Sequence, residues 1–264
     1  MNEDHPYYHV ASLLRKVHRH RGPYLSPDDL ESLGIKVSGM DIKTGRPTDS
    51  GQQFCTLYPS KQFDKLFEKV SAKHFQDLDE GGVYGTALGI GTELDHCLDE
   101  MGVFDGWDPS ERIIAYCIRS RNDSIVEQRL GNGGRYQGEP EFQAGDIFET
   151  YKKSIPHRGC TVFDTAVSDE RLRKSEVFCA AGLMAARLGD ADKTGDRIVP
   201  VFIYSFSGYQ ARVIQAHYEH PHFIIRKTEH IEFEDGSADG FKVMLRWMMN
   251  IPKGDVKMPN GKSK

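Results

Sequence analysis

Apolar residues return at three- and four-residue intervals near the start of the chain, at Val10, Leu13, Leu14 and Val17. That spacing predicts an amphipathic helix, which Gly22-Pro23 ends. A turn-rich stretch from Ser26 to Ser60 carries short strand-like pieces at Ile35–Val37 and Phe54–Leu57. Ser60 to Val70 reads as a helix with Phe63, Leu66, Phe67 and Val70 on one side. From Val83 to Leu94 the pattern changes to period two. Tyr84, Leu88, Ile90 and Leu94 share one face; Val83, Gly85, Ala87, Gly89 and Gly91 share the other. This predicts a strand or hairpin arm with one small-residue face.

Strands are expected at Arg112–Ser120, Ile125–Leu130, Phe142–Tyr151 and Cys160–Val167, with a turn over Gly131–Gly138. Ser168 to Leu188 reads as the longest helix, capped by Ser168 or Asp169, with Val177, Phe178, Ala181 and Met184 inward. Ile198–Phe206, Ala211–Tyr218 and Phe223–Phe233 form a three-strand meander turning at Gly208 and Pro221. Glu234–Gly240 is acidic and small-residued, an exposed linker before a short helix at Phe241–Asn250. The polar lysine tail after Pro252 is expected to be disordered. Strands and helices without βαβ alternation indicate an α+β fold: one domain with a twisted, mainly antiparallel sheet flanked by helices. Residues 1–233 form its body, and 234–264 supply the linker, helix and tail.

The 264 residues are ample for a buried core, and 38% hydrophobic with 28% charged residues describes a globular chain. No apolar run approaches the roughly 20 residues of a spanning helix, and MNEDHPYYHV has no apolar leader core. The five cysteines are scattered without a CxxC pair, which suits reduced thiols and a cytoplasmic protein. Against a net charge of -5, the run Arg15, Lys16, His18, Arg19, His20, Arg21 stands out. It holds no acid for ordinary i,i+4 pairing. It is either a plain solvated face or a surface for anionic lipid or nucleic acid. The acidic total weighs against a dedicated nucleic-acid binder.

Other constellations are weaker. Gly89-Ile90-Gly91 lacks the third glycine of a dinucleotide fingerprint, since Leu94 stands there; Gly261-Lys262-Ser263 has Val256 at the first P-loop glycine. The histidines include no HExxH and no zinc-like spacing. His217, His220, His222 and His230 gather late, but Pro221 interrupts any ladder. No cofactor and no metal are therefore expected. Phe163-Asp164 on a strand could supply the first acid of a metal-dependent phosphodiesterase or nuclease-like enzyme. Its Glu-x-Lys partner has no well-placed counterpart, and Asp41-x-Lys43 sits badly.

Three segments resemble gasdermins, the pore-forming proteins of inflammatory and incompatibility cell death. LLRKVHRHRG-PYLSPDDLESL is similar to their basic first helix, Arg-Gly turn and acidic-x-Ser-Leu stretch, with Pro23 directly after the glycine and one extra residue before Ser32-Leu33 as departures. FQDLDEGGVYGTALGIGTEL, from Phe75 to Leu94, is similar to the turn entering a glycine-rich hairpin. IPHRGCTVFDTAV, from Ile155 to Val167, resembles an Ile-Pro-x-Gly strand. The length resembles that of short-tailed fungal members. The resemblance implies a non-enzymatic protein, cytoplasmic when inactive and at the plasma membrane when active. It would bind acidic phospholipids and oligomerise with itself or a related chain, opening a pore in regulated cell death such as heterokaryon incompatibility. Arg15, Lys16, Arg19 and Arg21 would bind lipid headgroups. Tyr84, Leu88, Ile90 and Leu94 would belong to a membrane-inserting strand. Phe233, Asp235 and Phe241 would mark a linker cut by an activating protease. Nucleic acid is not implied as a partner. The alternatives are the nuclease-like enzyme and a nucleic-acid- or partner-binding domain.

Overall fold

A computed structural model describes residues 5–79, 81–103, 135–136, 139–140, 142–150, 155–189, 198–254 and 256. The strands expected at 112–120 and 125–130, and the tail from 257 onward, lie outside the described residues. The helices are α1 (Pro6–Arg19), α2 (Pro27–Ser32), α3 (Ser60–Phe67), α4 (Gly82–Glu100), α5 (Lys174–Leu188) and α6 (Asp239–Met248), with a 3-10 turn at Ala72–Phe75. Short strands are β1 (Tyr24–Leu25), β3 (Cys55–Thr56), β4 (Arg135–Tyr136), β5 (Glu139–Pro140), β8 (Leu172–Arg173), β12 (Ile231–Glu232) and β13 (Ile251–Pro252). Longer ones are β2 (Ile35–Gly39), β6 (Phe142–Glu149), β7 (Arg158–Asp164), β9 (Val201–Ser207), β10 (Gln210–Glu219) and β11 (His222–Lys227).

One open mixed sheet of seven strands organises the molecule, in the order β2-β11-β10-β9-β7-β6, with β12 beside the start of β10. The β9-β10-β11 meander is antiparallel, as its turn residues predict. Two pairs are parallel, β2 with β11 and β7 with β9. The second corrects the expectation of no βαβ alternation: β7, α5 and β9 form such a unit. A parallel pair cannot be joined by a tight turn, so α5 supplies the crossover. This helix starts at Lys174, later than expected, because Leu172 and Arg173 pair with β1 first.

Successive strand residues point to opposite faces, and helices cover both. Val201 and Ile203 of β9 join Cys160 and Val162 of β7 under α1 and α5. Phe202, Tyr204 and Phe206 join Phe163 under α4 and α6. With both faces covered, every residue of β9 is buried, Ser205 and Ser207 included, in place of an alternating pattern.

The segment Val83–Leu94 is not a strand. It is the first part of α4, whose buried positions, Thr86, Ala87, Ile90, Gly91, Leu94, Cys97 and Leu98, repeat at helical spacing. Gly91 explains the misleading small-residue pattern. A Cβ there would lie 2.4 Å from a ring carbon of Phe163, so the glycine lets the helix press onto the sheet.

Among the described residues beyond 233, those of α6 are built into the body. Phe241, Met244, Leu245, Trp247 and Met248 are all buried. Beyond α6, β13 pairs with β3, and His157 Nε2 lies 3.0 Å from the Phe54 carbonyl and 3.1 Å from that of Lys253.

Candidate functional site

Pro6 at the first helical position and a cap from His5 Nδ1, which accepts from the Tyr7 amide, start α1 where the sequence changes from polar to periodic. Val10, Leu13 and Val17 are buried, and the helix packs on α5. Its inner stripe is thus fixed by packing. The outer side then has to carry what remains, and what remains is positive. Arg15, Lys16 and Arg19 are exposed on it, and Arg21 is exposed just beyond its end. None of the four forms an ion pair among the described residues. The titratable neighbours are otherwise engaged. His18 lies against the Phe178 ring at 5.8 Å, and His20 Nε2 is 2.9 Å from the Tyr24 carbonyl. Asp29 of the nearby acidic helix is held by Ser26, whose hydroxyl and amide both donate to it, and these bonds keep its carboxyl below the usual range.

The residues expected in a membrane-inserting strand are divided by the helix they occupy. Ile90 and Leu94 are fully buried, Leu88 is exposed, and Tyr84 is half-buried with its hydroxyl donating to Gln143 Oε1. They share no single face, which corrects the period-two grouping. No helix among the described residues is long and apolar enough to cross a membrane.

The expected linker residues also separate. The rings of Phe233 and Phe241 are buried and 5.2 Å apart. Glu234, Asp235 and Gly236 are exposed between them, although Asp235 Oδ1 accepts from the Leu78 amide at 3.0 Å.

Asp164 does not face an open cleft. It is 2% exposed, accepting from the Ser175 hydroxyl and the Ala166 amide. Burial raises its pKa against the pull of Arg173. Glu176, one turn into α5, is fully buried between Arg173 and Arg212, with Arg212 Nη2 donating at 2.7 Å. Burial pushes the Glu176 carboxyl up, but the two guanidiniums outweigh it and hold the group well below the carboxylate range. Both acids are occupied by their own network, in which Arg173 also donates to Ser205. No lysine is among their described partners.

A histidine and carboxylate group escaped the sequence reading. His74, Glu93 and His96 bring one donor atom each within 4.8 Å of one another. Glu93 and His96 are three apart on α4, a spacing visible once that segment is a helix. His74 is supplied by the 3-10 turn, and no local signal marks it. Comparison with known proteins gives no matching family model, no similar curated protein and no similar solved structure.

Proposed function

We propose that this protein binds acidic phospholipid surfaces through the outer face of α1. One observation carries the reading: Arg15, Lys16 and Arg19 stand together, exposed and, among the described residues, without acidic partners, on a helix whose other face is sealed into the core. A solvated helix face normally interleaves both signs of charge. Four basic residues near an anionic bilayer contribute about 1 kcal/mol each, so roughly 4 kcal/mol in all. That corresponds to an affinity of about 1 mM, a transient and salt-sensitive attachment. Firm attachment then needs several chains acting together, because linked sites raise avidity without new contacts.

Here the gasdermin resemblance extends the proposal: chains assemble on the membrane, open a pore and cause regulated cell death, with no enzymatic step. In that extension α4 is the element that would have to refold, and its glycines at 82, 85, 89 and 91 lower the backbone cost of doing so. Opposing it is the unseating of Ile90, Leu94 and Leu98, about 1.5–3 kcal/mol for each side chain. Insertion is therefore coupled to assembly in this reading and does not occur in the lone chain. The phosphodiesterase alternative has no comparable support, because Asp164 and Glu176 are closed off by their own partners.

The test replaces Arg15, Lys16, Arg19 and Arg21 by Gln together. The parent should sediment with vesicles containing phosphatidylserine at low salt and not with neutral vesicles, and the variant should stay in solution with an unchanged melting midpoint. Equal sedimentation of parent and variant removes the proposal, as does binding to RNA without binding to vesicles. Vesicle binding without release of trapped dye keeps the surface contact and removes the pore.

A further inference from the structure

We propose that His74, Glu93 and His96 form a binding site for a divalent transition-metal ion, zinc by the class of its donors. The three donors come from two elements that meet at one corner of the core. Glu93 Oε2 lies 2.5 Å from His74 Nδ1 and 3.4 Å from His96 Nδ1. Four-coordinate zinc, with bonds of about 2.0–2.1 Å, holds its donors roughly 3.3 Å apart. The pair at 3.4 Å already matches, and the closer pair has to open by less than about 1 Å. Two imidazoles and a carboxylate are a donor set that suits zinc and disfavours calcium or magnesium, which take oxygen ligands.

The surroundings are graded as a metal site requires. The His74 side chain is only 4% exposed, Glu93 31% and His96 56%, so the group is walled on one side and open to solvent on the other. An ion held by three protein donors would thus keep a water on its open side, the three-ligand arrangement of sites that present the ion to a small molecule.

A second observation concerns the far nitrogen of His74. Nε2 is buried and makes no hydrogen bond of good geometry, yet it lies 3.1 Å from Glu100 Oε1. Glu100 is itself anchored, its other oxygen accepting from the Ser71 amide at 2.7 Å. An imidazole that binds a metal through one nitrogen commonly gives its other N–H to a carboxylate, which fixes ring orientation and tautomer. Glu100 stands where that carboxylate belongs, and a small turn of the ring completes the bond. The same ion would tie the 3-10 turn at Ala72–Phe75 to α4.

Zinc titration of the chelator-treated full chain against a chromophoric competitor tests the site. One tight site per chain is expected, and cobalt in its place should give the visible absorption of a four-coordinate ion. Glu100→Gln should weaken zinc binding on the order of 10- to 100-fold, and His96→Ala at least as much. His96 is mostly exposed, so its removal leaves the fold intact by circular dichroism. His9→Ala, which alters the separate His9/His220 pair, should leave binding unchanged. Absence of zinc binding overturns the proposal. So does equal binding by the parent and His96→Ala, or a loss of binding in His9→Ala alone.

Discussion

The two faces of the central sheet are filled by different chemistry. Under α1 and α5 small and branched side chains predominate, among them Val201, Ile203, Cys160 and Val162 from the strands and Ala180, Ala181 and Ala185 from the helix, alongside the aromatic Phe142, Phe178, Tyr218 and Phe223. Under α4 and α6 aromatic side chains are more numerous: Phe148, Phe163, Phe202, Tyr204, Phe206, Phe233, Phe241 and Trp247 pack there among aliphatic residues. Small residues let α5 lie close and leave room for α1 as a further layer, so α1 keeps a free outer side. Aromatic side chains fill volume, and they interlock segments far apart in the chain. The first face is therefore suited to presenting a surface, and the second to holding the carboxy-terminal helix in place. The buried polar groups follow the same division. A charged network of Arg173, Glu176 and Arg212 closes the first face. A neutral one of Tyr204, Asn250 and the Trp247 carbonyl closes the second.

Three measurements would break or sharpen this contrast. Deleting residues 235–264 removes α6 and with it several fully buried aromatic and aliphatic side chains, each worth on the order of 2–5 kcal/mol. Such a loss exceeds the 5–15 kcal/mol of a typical domain's stability, so the shortened chain should be insoluble or unfolded by circular dichroism. A truncated chain that is folded and permeabilises vesicles would instead make α6 an inhibitory element resting on a complete body.

Glu176→Ala leaves two guanidiniums buried without a carboxylate, and should cost about 3–5 kcal/mol in urea denaturation. A cost below about 1 kcal/mol would mean that water reaches this network, and that the first face is less closed than its packing indicates.

The third measurement is the response to acid. Burial pushes His157 and His217 down to about 4. In the unfolded chain they take a proton near pH 6.5, whereas the folded protein resists until about 4. Their stabilisation is complete above pH 6.5 and is lost as pH falls towards 4, on the order of 3 kcal/mol for each. Glu176 is held low, so its contribution is intact above the range in which unfolded glutamates take a proton and is lost as pH falls from there to about 2. Asp95 and Asp164 are raised, chiefly by burial, and oppose the histidines in the same window. The informative quantity is therefore the difference from the parent: His217→Asn should lose less stability than the parent between pH 6.5 and 4. Identical pH profiles would place His217 in contact with solvent.

Legibility in the sequence followed how unevenly each element is buried. The helix α1 has one buried stripe and a charged remainder, so its period was plain; Arg15, Lys16 and Arg19 lie on it as expected, but it ends at Arg19, before Gly22-Pro23, and leaves Arg21 outside. The meander was marked by turn residues at both ends. The crossover helix α5 is buried on nearly every side, so its burial pattern carries little directional signal. The α4 helix was misread because Gly91 serves a neighbouring strand and not its own helix; the reason for that residue is Phe163, some 70 positions away. His74 was hidden for the same reason, since its partners, Glu93, His96 and Glu100, are brought to it by tertiary structure alone.

The position of α6 also orders events in time during synthesis. The sheet has its last long strand once Lys227 has left the ribosome, yet the aromatic face waits for Trp247 and for β13 to reach β3, about 200 residues back along the chain. At roughly 5–20 residues per second, the stretch from Lys227 to Pro252 takes about one to five seconds to appear. During that interval the nascent chain displays a sheet finished on one side and, on the other, covered by α4 but not yet by α6. The part still open includes Phe75 and Tyr204, which Phe241 and Trp247 later meet, a surface a chaperone would be expected to hold until the final helix arrives.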